Sequence, residues 1–250
     1  MKTIGGFVFA HNAIEHDYCL EQSVRAMSSV CDRVIVADCE SCDGTLDLIH
    51  GLSEELGNIQ VETLRWSPNS GGWGSWLGDL ANECRRKLET DFWFHLQADE
   101  VISEDSFDVV SNLRNSGSSY WFRRNNYWTS PYLLTPVNRV CSSSIIRFSK
   151  ASDPICGDGE SAAPNASTKQ SDIVIHHYGF LRKPEGFAKK ARKMEAAYTG
   201  GSYNPIIDKV EKEGMKKLRD DWSDPLVPFN GSHPKSMIPW LIERGWEVML

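Results

Sequence analysis

The stretch that most constrains the fold is residues 91–100, near the middle of the chain. It holds an apolar and aromatic run of strand length, residues 92–96, which stops at Gln97, Ala98, Asp99 and Glu100. A buried strand that ends in two adjacent carboxylates needs something to compensate the charge. Ligands bind beyond the carboxyl ends of strands in open α/β sheets, and Mg²⁺ takes one or two carboxylates together with substrate phosphates. The stretch predicts either a strand that presents Asp99, with Glu100 beside it, to a metal–diphosphate site, or a turn with two solvated acids.

Short apolar runs alternate with helical patterns through the first hundred residues. Strand patterns occupy residues 3–10, 34–37, 59–64 and 92–96, and helical periodicity occupies residues 15–29, 46–56 and 75–89. Strands that alternate with helices in this way favour a parallel sheet with right-handed crossovers. The sequence therefore predicts an α/β fold with a mostly parallel sheet flanked by helices.

The second half of the chain is less regular. A helix is predicted over residues 103–113, an antiparallel pair of strands over 120–127 and 140–148, a strand at 173–175, and helices over 185–198, over 206–220 and from 234. These patterns predict one domain over residues 1–200 and a small helical extension over 201–250 that packs on it.

Composition excludes several classes of protein. The formal net charge of −7 over 250 residues gives no overall cationic surface for nucleic acid. No stretch approaches the roughly 20 apolar residues that span a bilayer. Seven scattered cysteines without a secretory signal predict reduced thiols and a cytoplasmic location. Cys39-x-x-Cys42 also fits a redox dithiol, but no aromatic residue precedes it and no second pair lies at zinc spacing.

Polar residues end several of the predicted strands. These are Ala10-His11-Asn12, Asp38 and residues 97–100, and the topology places them at one edge of the sheet. His177 follows a strand of its own. A carboxylate and a neutral imidazole suit Mn²⁺ or Mg²⁺, although a single histidine at a strand end is more often a structural hydrogen-bonding group.

Four segments together resemble the motifs of one known family. The segments Val34-Ile-Val-Ala-Asp-Cys-Glu-Ser-Cys-Asp-Gly-Thr45 and Leu96-Gln-Ala-Asp-Glu100 are similar to the D-x-x-S-x-D-G-T signature and to the position of the DxD motif in the GT-A glycosyltransferases, in particular in the large inverting family 2. His177-Tyr-Gly179 with Arg182 and Lys190, and Phe229-x-Gly-Ser-His-Pro234, resemble C-terminal motifs of a subgroup. The sequence departs from the pattern at Gln97, which replaces the first acid of DxD and brings no charge.

The resemblance implies a GT-A fold and transfer of a sugar, with inversion, from a nucleotide-diphosphate donor to an acceptor hydroxyl. A UDP-sugar is the expected donor, and a glycan or another hydroxyl-bearing molecule is the expected acceptor. Asp99 and His177 would hold Mn²⁺ or Mg²⁺. The nucleotide would contact Ala10, His11, Asn12, Asp38, Gln97, Ala98, Arg182 and Lys190.

An inverting transfer needs a general base that takes the proton of the acceptor hydroxyl. Asp158 and Glu160 are the candidates, because their loop directly precedes the strand that ends at His177; both could instead be turn acids. The glycine-rich loop at residues 70–74 is predicted to be a gate, in which Trp73 and Trp76 pack on the nucleotide or the core. A cluster of aromatic residues would stack on an acceptor sugar or cover a sheet face: Tyr120, Trp121, Tyr127, Trp128 and Tyr132.

Two other functions fit the same residues. A nucleotidyltransferase uses a similar sheet, but it would usually carry a glycine-rich basic loop where this chain has His11-Asn12. A catalytically silent module that binds nucleotide-sugar is suggested by Gln97. Such a module would bind nucleotide without turnover.

Overall fold

A computed structural model describes residues 1–68, 74–136, 142–199, 204–219 and 225–248. Two features of the sequence prediction, Trp73 and the start of the strand at Val140, lie outside the described residues.

The described chain alternates strands and helices in the predicted order up to β4, and the second half contains short strands that the sequence patterns do not predict. The strands are β1 (Ile4–Ala10), β2 (Arg33–Asp38), β3 (Ile59–Thr63), β4 (Phe92–His95), β5 (Glu100–Ile102), β6 (Tyr120–Asn126), β7 (Leu133–Leu134), β8 (Ser144–Lys150), β9 (Ile155–Cys156), β10 (Ser161–Ala162), β11 (Lys169–His177) and β12 (Val227–Pro228). The helices are α1 (Leu20–Val30), α2 (Thr45–Leu56), α3 (Ser75–Arg86), α4 (Phe107–Asn112), α5 (Pro184–Thr199), α6 (Pro205–Glu213) and α7 (Met237–Glu243).

Eight of these strands form one sheet in the order β3-β2-β1-β4-β8-β6-β11-β5. The half from β3 to β4 is parallel, while β8 runs antiparallel to both β4 and β6. β11 is parallel to β6, and β5 is antiparallel to β11. The α/β fold is thus confirmed, as is the antiparallel pair that the sequence predicts in the second half.

Strands β1, β2 and β4 are buried on both faces, which explains their continuous apolar sequences, whereas β3 at the edge of the sheet is only half-buried. In β2, Val34 and Val36 belong to one core cluster, whereas Ile35 and Ala37 belong to a second cluster on the opposite face. Because side chains alternate along a strand, the sheet divides the core into two layers. The carboxyl ends of β1, β2 and β4 consequently meet at one edge.

Several boundaries differ from the predicted ones. Helix α1 begins only at Leu20, because residues before it form a turn in which Asp17 has a φ of 54°. The helix predicted over 206–220 is interrupted at Gly214, where φ is 96°, and continues as a short 3₁₀ turn. Residues that carry a side chain rarely adopt this backbone conformation, so α6 ends at a glycine.

The residues after 203 pack on the rest of the chain. Ile206, Ile207 and Val210 of α6 contact α5 in a third apolar cluster, and Met237 and Leu241 of α7 are fully buried in the largest one. The division into two domains at residue 200 stays a prediction.

The last described turn is tied to the first loop of the protein. The Arg244 guanidinium donates to the Asp17 carboxylate, with Nε 2.9 Å from Oδ2, and both side chains are largely buried. Trp246 Nε1 donates to the Leu181 carbonyl at 2.9 Å. None of the helices in the described parts of the chain has the length and apolar composition needed to cross a membrane.

Candidate active site

A cavity of about 210 Å³ opens beyond the carboxyl ends of β1 and β4. Its lining includes nine of the twelve site residues predicted from the sequence, namely Ala10, His11, Gln97, Ala98, Asp99, Asp158, Glu160, His177 and Lys190. Residues from β1, from the β4–β5 turn, from the β9–β10 turn, from β11 and from α5 therefore meet in one place. Their individual roles are taken up below as proposals.

The other three predicted residues, Asn12, Asp38 and Arg182, lie behind the cavity wall. Asn12 Oδ1 accepts the Cys42 N–H at 2.9 Å, and Asp38 Oδ2 accepts the Ser41 N–H at 3.1 Å. Both side chains thus fix the loop after β2. Asp38 Oδ1 is buried and has no hydrogen-bond partner among the described residues.

The segment Asp43-Gly44-Thr45 makes structural contacts at the start of α2. Asp43 Oδ1 accepts the Thr45 N–H at 3.1 Å, and its Oδ2 accepts the Glu15 N–H at 2.6 Å. Thr45 Oγ1 accepts the Ala13 N–H at 2.8 Å. These bonds join the loops that follow β1 and β2.

Asp99 is the electrostatic centre of the cavity. The guanidinium of Arg182 contacts its Oδ2, and His177 Nε2 and Lys190 Nζ lie 3.6 Å and 3.8 Å from the same oxygen. Burial alone would raise the pKa of Asp99, but these neighbours hold it well below its ordinary value. The carboxylate is therefore ionised across the physiological pH range.

The two cations beside Asp99 differ in mobility. Arg182 is 1% exposed, donates to the His16 carbonyl at 3.2 Å and lies 4.1 Å from the centroid of the Tyr18 ring. These contacts fix the guanidinium in place. The Lys190 side chain is 30% exposed and lines the cavity, so its ammonium can reach a bound anion.

Asp99 and His177 form a donor pair that fits a divalent cation. Asp99 Oδ1 accepts no hydrogen bond within the described parts of the chain, and a Cβ on Gly179 would lie 2.7 Å from His177 Nε2 and 3.1 Å from Asp99 Oδ2. Glycine therefore keeps the space beside both donors open. Among the described residues, no group of three or more His, Cys, Asp or Glu side chains is arranged around a metal position. The pair consequently suits a cation whose other ligands come from a substrate.

Glu100 takes no part in this cavity, and the expectation that it would stand beside Asp99 as a ligand is wrong. Its side chain is fully buried, and its Oε1 accepts from Arg124 at 3.0 Å and from Arg147 at 2.8 Å. Its Oε2 accepts the Gln97 N–H at 2.9 Å. Burial opposes ionisation, but the two arginines lower the pKa of Glu100 to about 2. Asp99 and Glu100 are consecutive in the chain, but each belongs to a different cluster of charged side chains.

The two candidate bases differ in how their charge is compensated. Glu160 Oε1 accepts from Arg124 at 3.0 Å. Asp158 has no cation partner among the described residues, and burial together with the charge of Glu160 raises its pKa. The Glu160 carboxylate is thus held by an arginine, whereas the Asp158 carboxylate is not.

The loop that carries these carboxylates lies directly against α3. A Cβ on Gly78 would stand 2.4 Å from the Gly157 carbonyl oxygen, and one on Gly159 would stand 3.1 Å from the Leu77 carbonyl oxygen. Only glycine at position 78 allows this approach of two backbones. The loop position is thus set by α3.

An aromatic wall that the sequence did not predict covers one side of the cavity. The ring of His11 stacks on Trp66 at a centroid distance of 4.4 Å and an angle of 8°, and Trp66 meets Trp76 edge to face. Trp66 is the first aromatic residue after β3. This position after a strand is the feature of the sequence that could have indicated the aromatic wall. Trp76 itself packs in the core.

The predicted aromatic cluster lies elsewhere. None of its five members lines the cavity, and Tyr127 and Trp128 are buried in apolar clusters. The arrangement agrees with the alternative that these rings cover a sheet face.

Comparisons with known proteins give low similarity. The chain matches no family model and no curated protein. Solved structures that share part of the fold include the following three. S. aureus TarS 1–349 in complex with UDP-GlcNAc has a TM-score of 0.46 and 14% identity over 88% of this chain and 73% of the other. A Bacillus anthracis structure, named for a proposed glucose-1-phosphate thymidylyltransferase and bound to sucrose, has a TM-score of 0.39 and 13% identity over 90% and 89%.

The third structure, GalNAc-T7 with UDP, GalNAc and Mn²⁺, has a TM-score of 0.36 and 13% identity over 50% of this chain and 23% of the other. These scores and identities are low. We therefore base the function on the geometry of the cavity.

Proposed function

We propose that the protein is a GT-A-type glycosyltransferase that transfers a sugar from a nucleotide-diphosphate donor to an acceptor hydroxyl with inversion. The observation that supports it is one cavity that combines a cationic cluster around Asp99 with a carboxylate, Asp158, that forms no ion pair among the described residues. A diphosphate leaving group needs the first feature, and an attacking hydroxyl needs the second. A UDP-sugar is the proposed donor, and a glycan or another hydroxyl-bearing molecule is the proposed acceptor.

Departure of the diphosphate would be assisted from the α5 side of the cavity. Asp99 and His177 would hold Mn²⁺ or Mg²⁺, which offsets the negative charge on the leaving phosphates. Lys190 would bind the diphosphate oxygens directly, because its ammonium is partly exposed within the cavity. Arg182 would hold Asp99 in place and add fixed positive charge.

The acceptor would be activated from the β9–β10 turn. Asp158 would accept the proton of the attacking hydroxyl, and its raised pKa makes it a better proton acceptor than an ordinary aspartate. Glu160 would orient the acceptor and the loop through its bond to Arg124.

The nucleotide would lie against the ends of β1 and β2. Ala10 and Ala98 leave room for it, the stacked His11 and Trp66 rings offer an aromatic surface, and Gln97 would hydrogen-bond the ribose. Asn12 would support this loop from behind. Asp38 would hold the loop after β2 in position behind the nucleotide, through the Ser41 N–H that it accepts.

The six described cysteines, Cys19, Cys31, Cys39, Cys42, Cys84 and Cys156, are all free thiols. Free thiols support a reducing, cytoplasmic location.

Thermal-shift measurements with UDP, GDP, CDP and dTDP, each with and without Mn²⁺, test the proposal. A ligand that binds only the folded state raises its stability by mass action. We expect one nucleotide to raise the melting temperature in a Mn²⁺-dependent way, and Asp99→Asn to abolish the Mn²⁺-dependent part. No shift with any nucleotide would refute the proposed function.

Turnover is tested separately by release of the nucleotide from UDP-sugars in the presence of added glycans, whose hydroxyls, or water, accept the sugar. Asp158→Asn is expected to retain the nucleotide-induced shift and to lose most of the release, whereas Glu160→Gln should retain more. If Asp158→Asn released nucleotide at the wild-type rate, the base would lie elsewhere. Binding without any release by the wild type would indicate a silent nucleotide-sugar module.

A further inference from the structure

His95 is a buried residue of the cavity that the reaction outlined above does not use. It lies in β4, two positions before Gln97, and is 1% exposed. Because residues two apart share a face of a strand, His95 and Gln97 lie on the same side of β4. His95 lines the cavity together with Asp158 and Asp99.

The protonation of the His95 ring follows from its one hydrogen bond. Nδ1 lies 2.9 Å from the Phe7 carbonyl oxygen. A carbonyl oxygen can only accept, so Nδ1 carries the hydrogen and Nε2 has a free lone pair. Burial and the positive charge of Arg147 lower the pKa of His95 to about 3, so the ring is neutral in the physiological range.

Two aromatic neighbours fix the orientation of this ring. It stacks on Phe7 at a centroid distance of 4.3 Å and an angle of 5°, and lies nearly parallel to Phe9 at 6.2 Å. The ring therefore cannot turn its Nε2 toward another partner without losing both the stacking and the bond to Phe7.

His95 Nε2 is buried and has no hydrogen-bond partner among the described residues. Buried polar atoms are nearly always paired, and an unpaired one needs an explanation. His95 lines the cavity, so a ligand bound there is the available partner for this atom.

We infer that His95 is a specificity-determining residue, whose Nε2 accepts a hydrogen bond from a hydroxyl group of the sugar bound in the cavity. The inference rests on the proposed function for the nature of the ligand. A site that pairs a buried acceptor with a substrate hydroxyl rejects analogues that lack the hydroxyl, because the acceptor is then left unpaired. His95 would thus select the donor sugar by one ring hydroxyl.

Three substitutions separate this role from a structural one. His95→Asn retains a side-chain amide that can donate to the Phe7 carbonyl, but it does not reach the cavity. His95→Phe retains the ring stacked on Phe7 and removes both nitrogens. His95→Gln extends far enough to place an acceptor oxygen near the position of Nε2, so it serves as the rescue variant.

The experiment measures the affinities of wild type and variants for UDP, UDP-glucose, UDP-galactose and the two N-acetylated sugars by calorimetry. We expect UDP affinity to change less than about twofold in His95→Asn and His95→Phe, and affinity for the preferred UDP-sugar to fall about five- to tenfold, as for one lost hydrogen bond. His95→Gln should recover part of the loss.

Deoxyfluoro analogues of the preferred UDP-sugar identify the hydroxyl. At one ring position, replacement of the hydroxyl by fluorine should weaken binding of the UDP-sugar to the wild type. The same replacement should not weaken its binding to His95→Asn, because that variant already lacks the hydrogen bond. Equal losses for UDP and UDP-sugar, or no loss, would overturn the role of His95 while leaving the proposed function intact. A wild type that binds no nucleotide would overturn the proposed function itself.

Discussion

Substitution of the buried Glu100 by glutamine is expected to destabilise the protein by about 3 kcal/mol at pH 7. The two arginines lower its pKa from the ordinary 4.5 to about 2, and one pKa unit corresponds to about 1.36 kcal/mol, which gives about 3 kcal/mol. The substitution also leaves Arg124 and Arg147 buried without their shared anion. Removal of one partner from a buried ion pair typically costs about 3–5 kcal/mol, in agreement with this value.

Urea unfolding followed by tryptophan fluorescence measures this change. Glu89→Gln is the matched control, because the Glu89 side chain is 81% exposed and lies 3.6 Å from Arg33. The control should change the free energy of unfolding by less than about 1 kcal/mol.

The pH dependence gives a second check on Glu100. A carboxylate with a lowered pKa stabilises the folded state above the unfolded pKa of 4.5, and this contribution is lost as the pH falls toward 2. The difference between wild type and Glu100→Gln should therefore persist at neutral pH and shrink below pH 4.5. A difference under about 1 kcal/mol at pH 7 would refute the assignment of Glu100 as a stabilising anion.

Three further predictions concern the α3 contact, acid unfolding and the cavity. Gly78→Ala should destabilise the protein by about 1–3 kcal/mol in thermal melts, because the new Cβ would stand 2.4 Å from a backbone oxygen. Gly51→Ala, whose Cβ would have no atom within 4 Å, should instead stabilise the protein by about 0.5–1 kcal/mol. The pKa of His95 is lowered from 6.5 to about 3, so its contribution is complete above pH 6.5 and is lost as the pH falls. Between pH 6.5 and 5 the wild type should therefore lose about 2 kcal/mol more than His95→Asn loses. Lys190→Met should weaken UDP binding about tenfold in calorimetry, whereas Lys189→Met, at a position outside the cavity lining, should leave it unchanged.

The sequence predicted the parallel half of the sheet because its signals are local. The runs in β1, β2 and β4 are buried on both faces, and such runs need no distant partner to be visible in the sequence. The parallel topology then predicted that Ala10 and Asp99 lie together at one edge of the sheet.

The environment of Glu100 could not be predicted in the same way. Its partners Arg124 and Arg147 come from β6 and β8, which are not neighbours of β5 in the sheet, so only the three-dimensional fold brings the three side chains together. The available signal in the sequence was the charged residue Glu100 in an otherwise apolar strand. His95 in β4 was a similar signal. The start of α1 was also wrong, because the residues before it form a turn that is closed by backbone hydrogen bonds, among them Asp17 N–H to the Ile14 carbonyl and Tyr18 N–H to the Ala13 carbonyl.

The bond between Asp17 and Arg244 has a consequence for folding during synthesis on the ribosome. Asp17 leaves the exit tunnel early, whereas the guanidinium that neutralises its largely buried carboxylate is made 227 residues later. A nascent chain that contains β1 and the parallel half of the sheet therefore still has an uncompensated charge in its first loop. We expect this loop to stay open to proteases on ribosome-bound chains that lack residue 244, and to become protected once the last turn has docked.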